Sequence, residues 1–172
     1  KTPEGEHAAK GAIHMIRERN LKNLNILDIG CGVGIIGLTI YTKLSSEGIV
    51  SEIVFSDINI FNLHSLKRTL KSNNLEHLLG DRIRCYLSDG LQHIPETEKF
   101  DISIGNPPQF ISKKTSEEWL SPGKLGTYDA NWSFHKSFYS TCSSLLKEKG
   151  EVWMFENSAA DANAFISFIS KA

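Results

Sequence analysis

Apolar residues recur along this chain at two spacings, and the switching between them outlines a fold. Ala9, Ile13 and Ile16 fall at steps of four and three, which predicts a helix over residues 2–19. Thr2 suits its cap and Pro3 its first turn. Short apolar runs then predict strands over 25–29, 52–57, 82–87, 100–104 and 151–155. Helical spacing fills the gaps at 35–44 and 60–73, the latter with Leu63, Leu66 and Leu70 on one face. Phe138, Cys142, Leu145 and Leu146 predict a helix over about 132–149, with Gly150 as its stop. A last helix is expected over 159–171. Strands alternating with helices predict an α/β chain with a parallel sheet wound on both faces.

In such a sheet, ligands sit at the carboxyl ends of the strands. The first strand ends in Asp28-Ile29-Gly30-Cys31-Gly32-Val33-Gly34, and a helix follows at once. Glycines let the backbone turn sharply and approach a ligand closely. A helix start behind them offers unpaired N–H groups and the positive end of a dipole. Gly32 to Gly37 also fits GxGxxG, a dinucleotide fingerprint that is weak by itself. Asp28 argues against pyrophosphate there, which a carboxylate would repel. It favours a cationic ligand with an amino-acid end, such as S-adenosylmethionine (AdoMet). The second strand ends at Asp57, at a distance from Gly32 where an acid reaches ribose hydroxyls. The third is followed by Ser88-Asp89-Gly90, and Asp89 suits an adenine amino group. The fourth runs into Gly105-Asn106-Pro107-Pro108-Gln109-Phe110.

These residues resemble the class I AdoMet-dependent methyltransferases over nearly the whole chain. The resemblance implies a Rossmann-like, doubly wound, mostly parallel sheet of strand order 3-2-1-4-5. The common fold has two further strands, 6 and 7, which the sequence does not supply before Ala172. It also implies that Asp28, Gly30, Cys31, Gly32, Gly34, Asp57, Ile58, Asp89, Gly90 and Asn106 hold the cofactor. Asn106-Pro107-Pro108 is similar to the Asn-Pro-Pro-aromatic motif of the branch that methylates protein glutamine, adenine N6 or guanine N2. By that likeness Asn106, Pro107, Pro108 and Phe110 form the acceptor site, with Asn106 Oδ1 and the Pro107 carbonyl each accepting one N–H of the target. One departure stands out: Gln109 occupies the usual aromatic position and Phe110 follows it.

Composition narrows the rest. The chain has 172 residues, within the range of one domain, with residues 1–20 as a helix flanking the site. It opens on Lys1 in place of Met, as expected either of a piece of a longer chain or of one that lacks a disordered start. Nineteen basic and 20 acidic residues leave a net charge of −1, which favours a protein or small-molecule acceptor over naked nucleic acid, RNA remaining the alternative. Cys31, Cys85 and Cys142 lie far apart without CxxC, which fits a reducing cytoplasm. No apolar run reaches membrane-span length. The six histidines show no HxH or HExxH spacing, so no metal is expected. Residues 106–130 lack periodicity; with Phe110, Trp119, Tyr128, Lys113, Lys114 and Lys124 they read either as an aromatic and basic lid or as a mobile solvated loop. His135 follows that segment and reads as a helix-surface histidine. The expected activity is N-methyl transfer to a glutamine amide or another planar or exocyclic amine. Nucleic-acid base methylation is the alternative, ahead of an NAD-dependent oxidoreductase or a non-catalytic binding module.

Overall fold

The computed structural model describes residues 3–108, 110–112 and 128–156, with positions 163, 166, 167 and 170. Helix α1 (Pro3–Glu18) leads into β1 (Leu24–Ile29), α2 (Ile35–Leu44), β2 (Val50–Asp57), α3 (Ile60–Ser72) and β3 (Ile83–Leu87). Then come β4 (Phe100–Gly105), β5 (Phe110–Ser112), β6 (Tyr128–Ala130), α4 (Ser133–Thr141) and β7 (Leu146–Met154). The main sheet runs β3-β2-β1-β4-β7, and every neighbouring pair is parallel. With β7 as the fifth predicted strand, this is the 3-2-1-4-5 order expected. β5 and β6 form a separate parallel pair.

Strand alternation sorts the core into two layers. Ile26, Ile53, Phe55, Ile83, Ile102 and Ile104 face one side, where Ala12, Ile16, Ile40, Leu66 and Leu70 of α1–α3 cover them. Leu27, Ile29 and Val54 face the other, against Phe138, Cys142 and Leu145. Both faces of β1 are therefore buried, as a central parallel strand requires. Each fully buried Leu of α3 contributes roughly 1.5–3 kcal/mol.

Two expectations need correction. The helix over 132–149 ends at Thr141, passes through a 3-10 turn at Cys142–Leu145, and gives way to strand at Leu146. Leu146 pairs with Phe100, so sheet pairing overrides the helical spacing of the apolar residues. Gly150 lies inside that strand, where an added Cβ would stand 2.8 Å from the Phe100 carbonyl oxygen. The connection over 106–130, expected without structure, contributes β5 and β6 at its ends. Thr2, Gln109, Lys113, Lys114, Trp119, Lys124 and most of the expected helix over 159–171 lie outside the described residues. Among the described residues, no helix is long and apolar enough to cross a membrane.

Candidate active site at the carboxyl rim of the sheet

The strand order sets the predicted residues along one edge. From β3 to β4 the strand ends carry Asp89, Asp57, the glycine turn and Asn106, all at the carboxyl rim. β1 lies between β2 and β4, where the order of strands reverses and a crevice opens.

The turn is built from left-handed glycines. Gly30, Gly32 and Gly34 have φ of 60°, 56° and 82°. Side chains rarely adopt that region, which accounts for glycine at these positions. A Cβ built on Gly30 or Gly32 meets no heavy atom of the described residues within 4 Å, so among those residues the turn is open above. Gly34 instead packs down: its Cβ would stand 2.5 Å from Leu66 Cδ1. It also caps α2, with no side chain competing for the first-turn N–H groups.

Two carboxylates hold this turn from below. Asp57 Oδ2 accepts from Gly32 N–H at 2.7 Å. Asp57 Oδ1 accepts from Asn59 N–H at 2.7 Å and from Asn62 Nδ2 at 3.2 Å. Asp28 Oδ2 accepts from Gly37 N–H at 2.8 Å, tying β1 to the first turn of α2. Gly37 must be glycine, because a Cβ there would stand 2.7 Å from that oxygen and 2.6 Å from Phe55 Cε1.

This changes the reading of Asp28. The side chain is 1% exposed, beneath the turn instead of in its mouth. Burial pushes its carboxyl up to about 7, against the pull of the Gly37 N–H; the charge on Asp57 pushes the same way. Such a group shapes the turn and has little surface to offer a ligand. Cys31 is also closed off, and burial, with the nearby charges of Asp28 and Asp57, raises its thiol well above its usual range. It is therefore a packed thiol, not a nucleophile.

The remaining rim residues are more open. Ile58 and Leu87 are each half exposed, which is unusual for such residues. Asp89 is exposed, and Gly90 has φ of 54°. Ser88 is buried beneath them and accepts from His93 N–H at 2.9 Å, which fixes the turn. On β4, Gly105 lies opposite Met154, and an added Cβ would stand 2.8 Å from the Ile29 carbonyl oxygen. Asn106 and Pro108 are partly exposed and Pro107 is buried. Phe110 begins β5; its side chain lies outside the described residues.

One group was missed. His135 is 1% exposed, not a surface histidine. Its Nδ1 lies 2.5 Å from Asp129 Oδ2 and its Nε2 lies 3.1 Å from Glu156 Oε1. Burial alone would lower its pKa, but hydrogen bonds to the two carboxylates outweigh that and raise it. Asp129 is likewise held below its ordinary value: burial opposes ionisation, and the bonds from His135 and from the Phe134 and His135 N–H groups win. The available signal was an acid before a helix whose histidine sits among Trp132, Phe134, Phe138 and Tyr139.

Comparison with known proteins agrees with this geometry. Residues 10–121 match the model of the methyltransferase small domain (MTS) family. The chain is 36% identical over 107 residues to a release factor glutamine methyltransferase of Clostridium botulinum, covering 62% of this chain and 34% of that protein. It is 38% identical over 88 residues to ribosomal RNA small subunit methyltransferase C of Pseudoalteromonas translucida, covering 51% and 22%. The chain thus spans about a third or less of these curated relatives. Among solved structures, a 16S rRNA methyltransferase of T. thermophilus, in complex with AdoMet and guanosine, superposes with a TM-score of 0.68 at 16% identity, covering 97% of this chain and 38% of that one. A SAM-dependent methyltransferase from Agrobacterium tumefaciens gives 0.66 at 15% identity, covering 98% and 50%. With a five-stranded parallel sheet, a glycine turn at its switch point and a family match across more than half its length, this chain belongs to the methyltransferase small domain family.

Proposed function

We propose that this domain binds AdoMet at the carboxyl rim and transfers its methyl group to a planar nitrogen, with a protein glutamine amide as the leading acceptor. The observation that carries the reading is the open glycine turn set between Asp57 and Asn106 on adjacent strands. The residues fit the cofactor: Gly30 and Gly32 leave room for close approach, and Ile58 and Leu87 offer apolar surface for a flat ring. Asp57, 6% exposed, serves a ribose hydroxyl through the one acceptor site on Oδ2 that Gly32, Asn59 and Asn62 leave over. Asp89 and Gly90 serve the base. Asp28 and Cys31 act from beneath, keeping the turn in shape.

When bound, AdoMet supplies a methyl group activated by its sulfonium. The protein's work is on the acceptor. An amide nitrogen is a poor nucleophile because its lone pair is delocalised. Asn106 Oδ1 and the Pro107 carbonyl accept its two N–H bonds and turn the nitrogen toward the methyl group. The same two acceptors would stabilise the positive charge that builds on nitrogen as the N–C bond forms and the sulfonium–methyl bond breaks; the demethylated cofactor would leave as a neutral thioether, and the nitrogen would then lose one N–H proton. Consecutive prolines fix the direction of the Pro107 carbonyl. Phe110 is the aromatic nearest in sequence for stacking on the acceptor.

The charge balance of −1 and the release factor glutamine methyltransferase among its relatives favour a protein acceptor. An RNA guanine or adenine is the second reading, from the ribosomal RNA methyltransferase among those relatives. The free thiols of Cys31, Cys85 and Cys142 support a cytoplasmic setting. Labelled AdoMet incubated with fractionated cell extract tests the reading. Label is expected on protein, and Asn106→Ala is expected to abolish it while cofactor binding persists. Full activity of Asn106→Ala would refute the acceptor site, and label confined to RNA would replace the glutamine assignment.

A further inference from the structure

His135 joins two backbone segments that both lead to Asn106-Pro107-Pro108. On one side, Glu156 follows β7, where Met154 pairs with Gly105 and Phe155 N–H donates to the Gly105 carbonyl at 3.0 Å. On the other, Asp129 is the centre of β6, and it pairs with Ile111 of β5, which starts two residues after Pro108. The contacts therefore close a ring: Gly105, Asn106 to Pro108, β5, β6, Asp129, His135, Glu156, β7 and back to Gly105. Among the described residues, His135 is a side-chain link that closes that ring.

We infer that His135, bridging Asp129 and Glu156, is a positioning residue that clamps the acceptor lip formed by Asn106-Pro107-Pro108. The catalytic consequence rests on the acceptor site proposed above; the clamp itself does not. With the His135 ring on Oδ2, Asp129 is saturated, since it also accepts from Ser133 Oγ and from the Phe134 and His135 N–H groups. It holds the start of α4 and cannot shift alone. Glu156 depends more heavily on the histidine, because its buried Oε2 has no hydrogen-bond partner among the described residues. The groups facing the imidazole are Asp129 from β6, Glu156 from the exit of β7 and the rings of Trp132, Phe134 and Tyr139 from its own turn and helix. Two of these groups are carboxylates, and a neutral imidazole would leave them facing each other across it. With one proton lost, only one ring nitrogen can still donate, and one arm of the clamp opens.

Amide hydrogen exchange tests the clamp without a known acceptor. Wild type, His135→Gln and Glu156→Gln are compared at about pH 6 and about pH 8.5, with intrinsic rates corrected. In both variants the amides of residues 104–106, 110–112 and 128–130 are expected to exchange on the order of tenfold faster, while those of β1–β3 stay unchanged. Wild type is expected to loosen in the same segments at the higher pH, and His135→Gln to show no such pH step. Should His135→Gln fail to fold, Glu156→Gln, at a partly exposed site, carries the comparison. Unchanged protection of residues 104–106 and 110–112 in the folded variants would overturn the clamp. On the acceptor that proves active, kcat is expected to fall on the order of tenfold to a hundredfold with AdoMet affinity retained. Unaltered kcat in both variants would end the catalytic part of the inference. Faster exchange in the variants of a wild type that methylates nothing would uphold the clamp and refute the proposed function instead.

Discussion

Asp57 Oδ2 accepts a hydrogen bond from Gly32 N–H at 2.7 Å, across 25 residues of sequence. The acid assigned to the ribose is thus also the post to which the glycine turn is tied. In the proposed site, ligand affinity and turn geometry would share one carboxylate. Replacing Asp57 with Ala is expected to weaken AdoMet binding by roughly 1.5–3 kcal/mol, the worth of a hydrogen bond to a charged group, and to lower the melting temperature as well. Asp57→Asn retains one acceptor oxygen and should lose less of each. Calorimetric titration paired with thermal melting reads both effects, and unchanged affinity in Asp57→Ala would remove Asp57 from the site.

Gly37 packs α2 onto the sheet with no room to spare. Its missing Cβ is bounded by Phe55 at 2.6 Å, Asp28 at 2.7 Å and Ile53 at 2.8 Å. Gly37→Ala is therefore expected to destabilise the domain by about 1–3 kcal/mol through overpacking. Urea denaturation measures this. Gly11, where an added Cβ meets nothing within 4 Å, is the control: Gly11→Ala should be neutral or slightly stabilising.

Asp28 predicts a pH dependence of known sign. Burial raises its pKa from 3.8 to about 7 in the folded state. A carboxyl raised on folding favours the folded state while it is protonated. That advantage is lost as pH climbs from about 4 through about 7. Asp28→Asn removes the titration and keeps an oxygen for Gly37. Its stability relative to wild type is expected to improve across that window, as followed by melting at several pH values. A difference independent of pH would contradict the assignment.

Arg84 organises the opposite end of β2 and β3. Its guanidinium donates to Glu98 Oε1 at 2.6 Å and to Glu52 Oε2 at 2.7 Å, and Tyr86 Oη donates to Glu98 at 2.8 Å. Burial pushes the Glu98 carboxyl up, but Arg84 and Tyr86 outweigh it and hold it below 4.5. This stability is present above the unfolded carboxyl value and is lost as pH falls through the lower folded one. Arg84→Met is expected to cost about 1–3 kcal/mol near neutral pH, with the difference shrinking in acid, as denaturant midpoints would report.

The sequence carried the sheet well and the lip poorly, for physical reasons. β1, β2 and α3 announce themselves by period, because each is buried on a face that repeats along the chain. The residues at the strand ends are legible because a parallel sheet brings every carboxyl end to one rim. Burial of Asp28 was not legible: an acid at a strand end reads as a ligand until Gly37 is known to pack over it. Leu146 misled as part of a helix, since its partner Phe100 lies far away in sequence. His135 was invisible for the same reason, because its second partner, Glu156, arrives only once β7 pairs with β4.

The most direct test is an AdoMet titration of the ¹⁵N-labelled protein, followed by amide shifts. Saturable one-to-one binding is expected, with the largest shifts at Gly30–Gly34, Asp57–Ile58 and Asp89–Gly90, and with no such response to NAD. Shifts centred elsewhere, or no saturation at all, would contradict the claim that this rim holds the methyl donor.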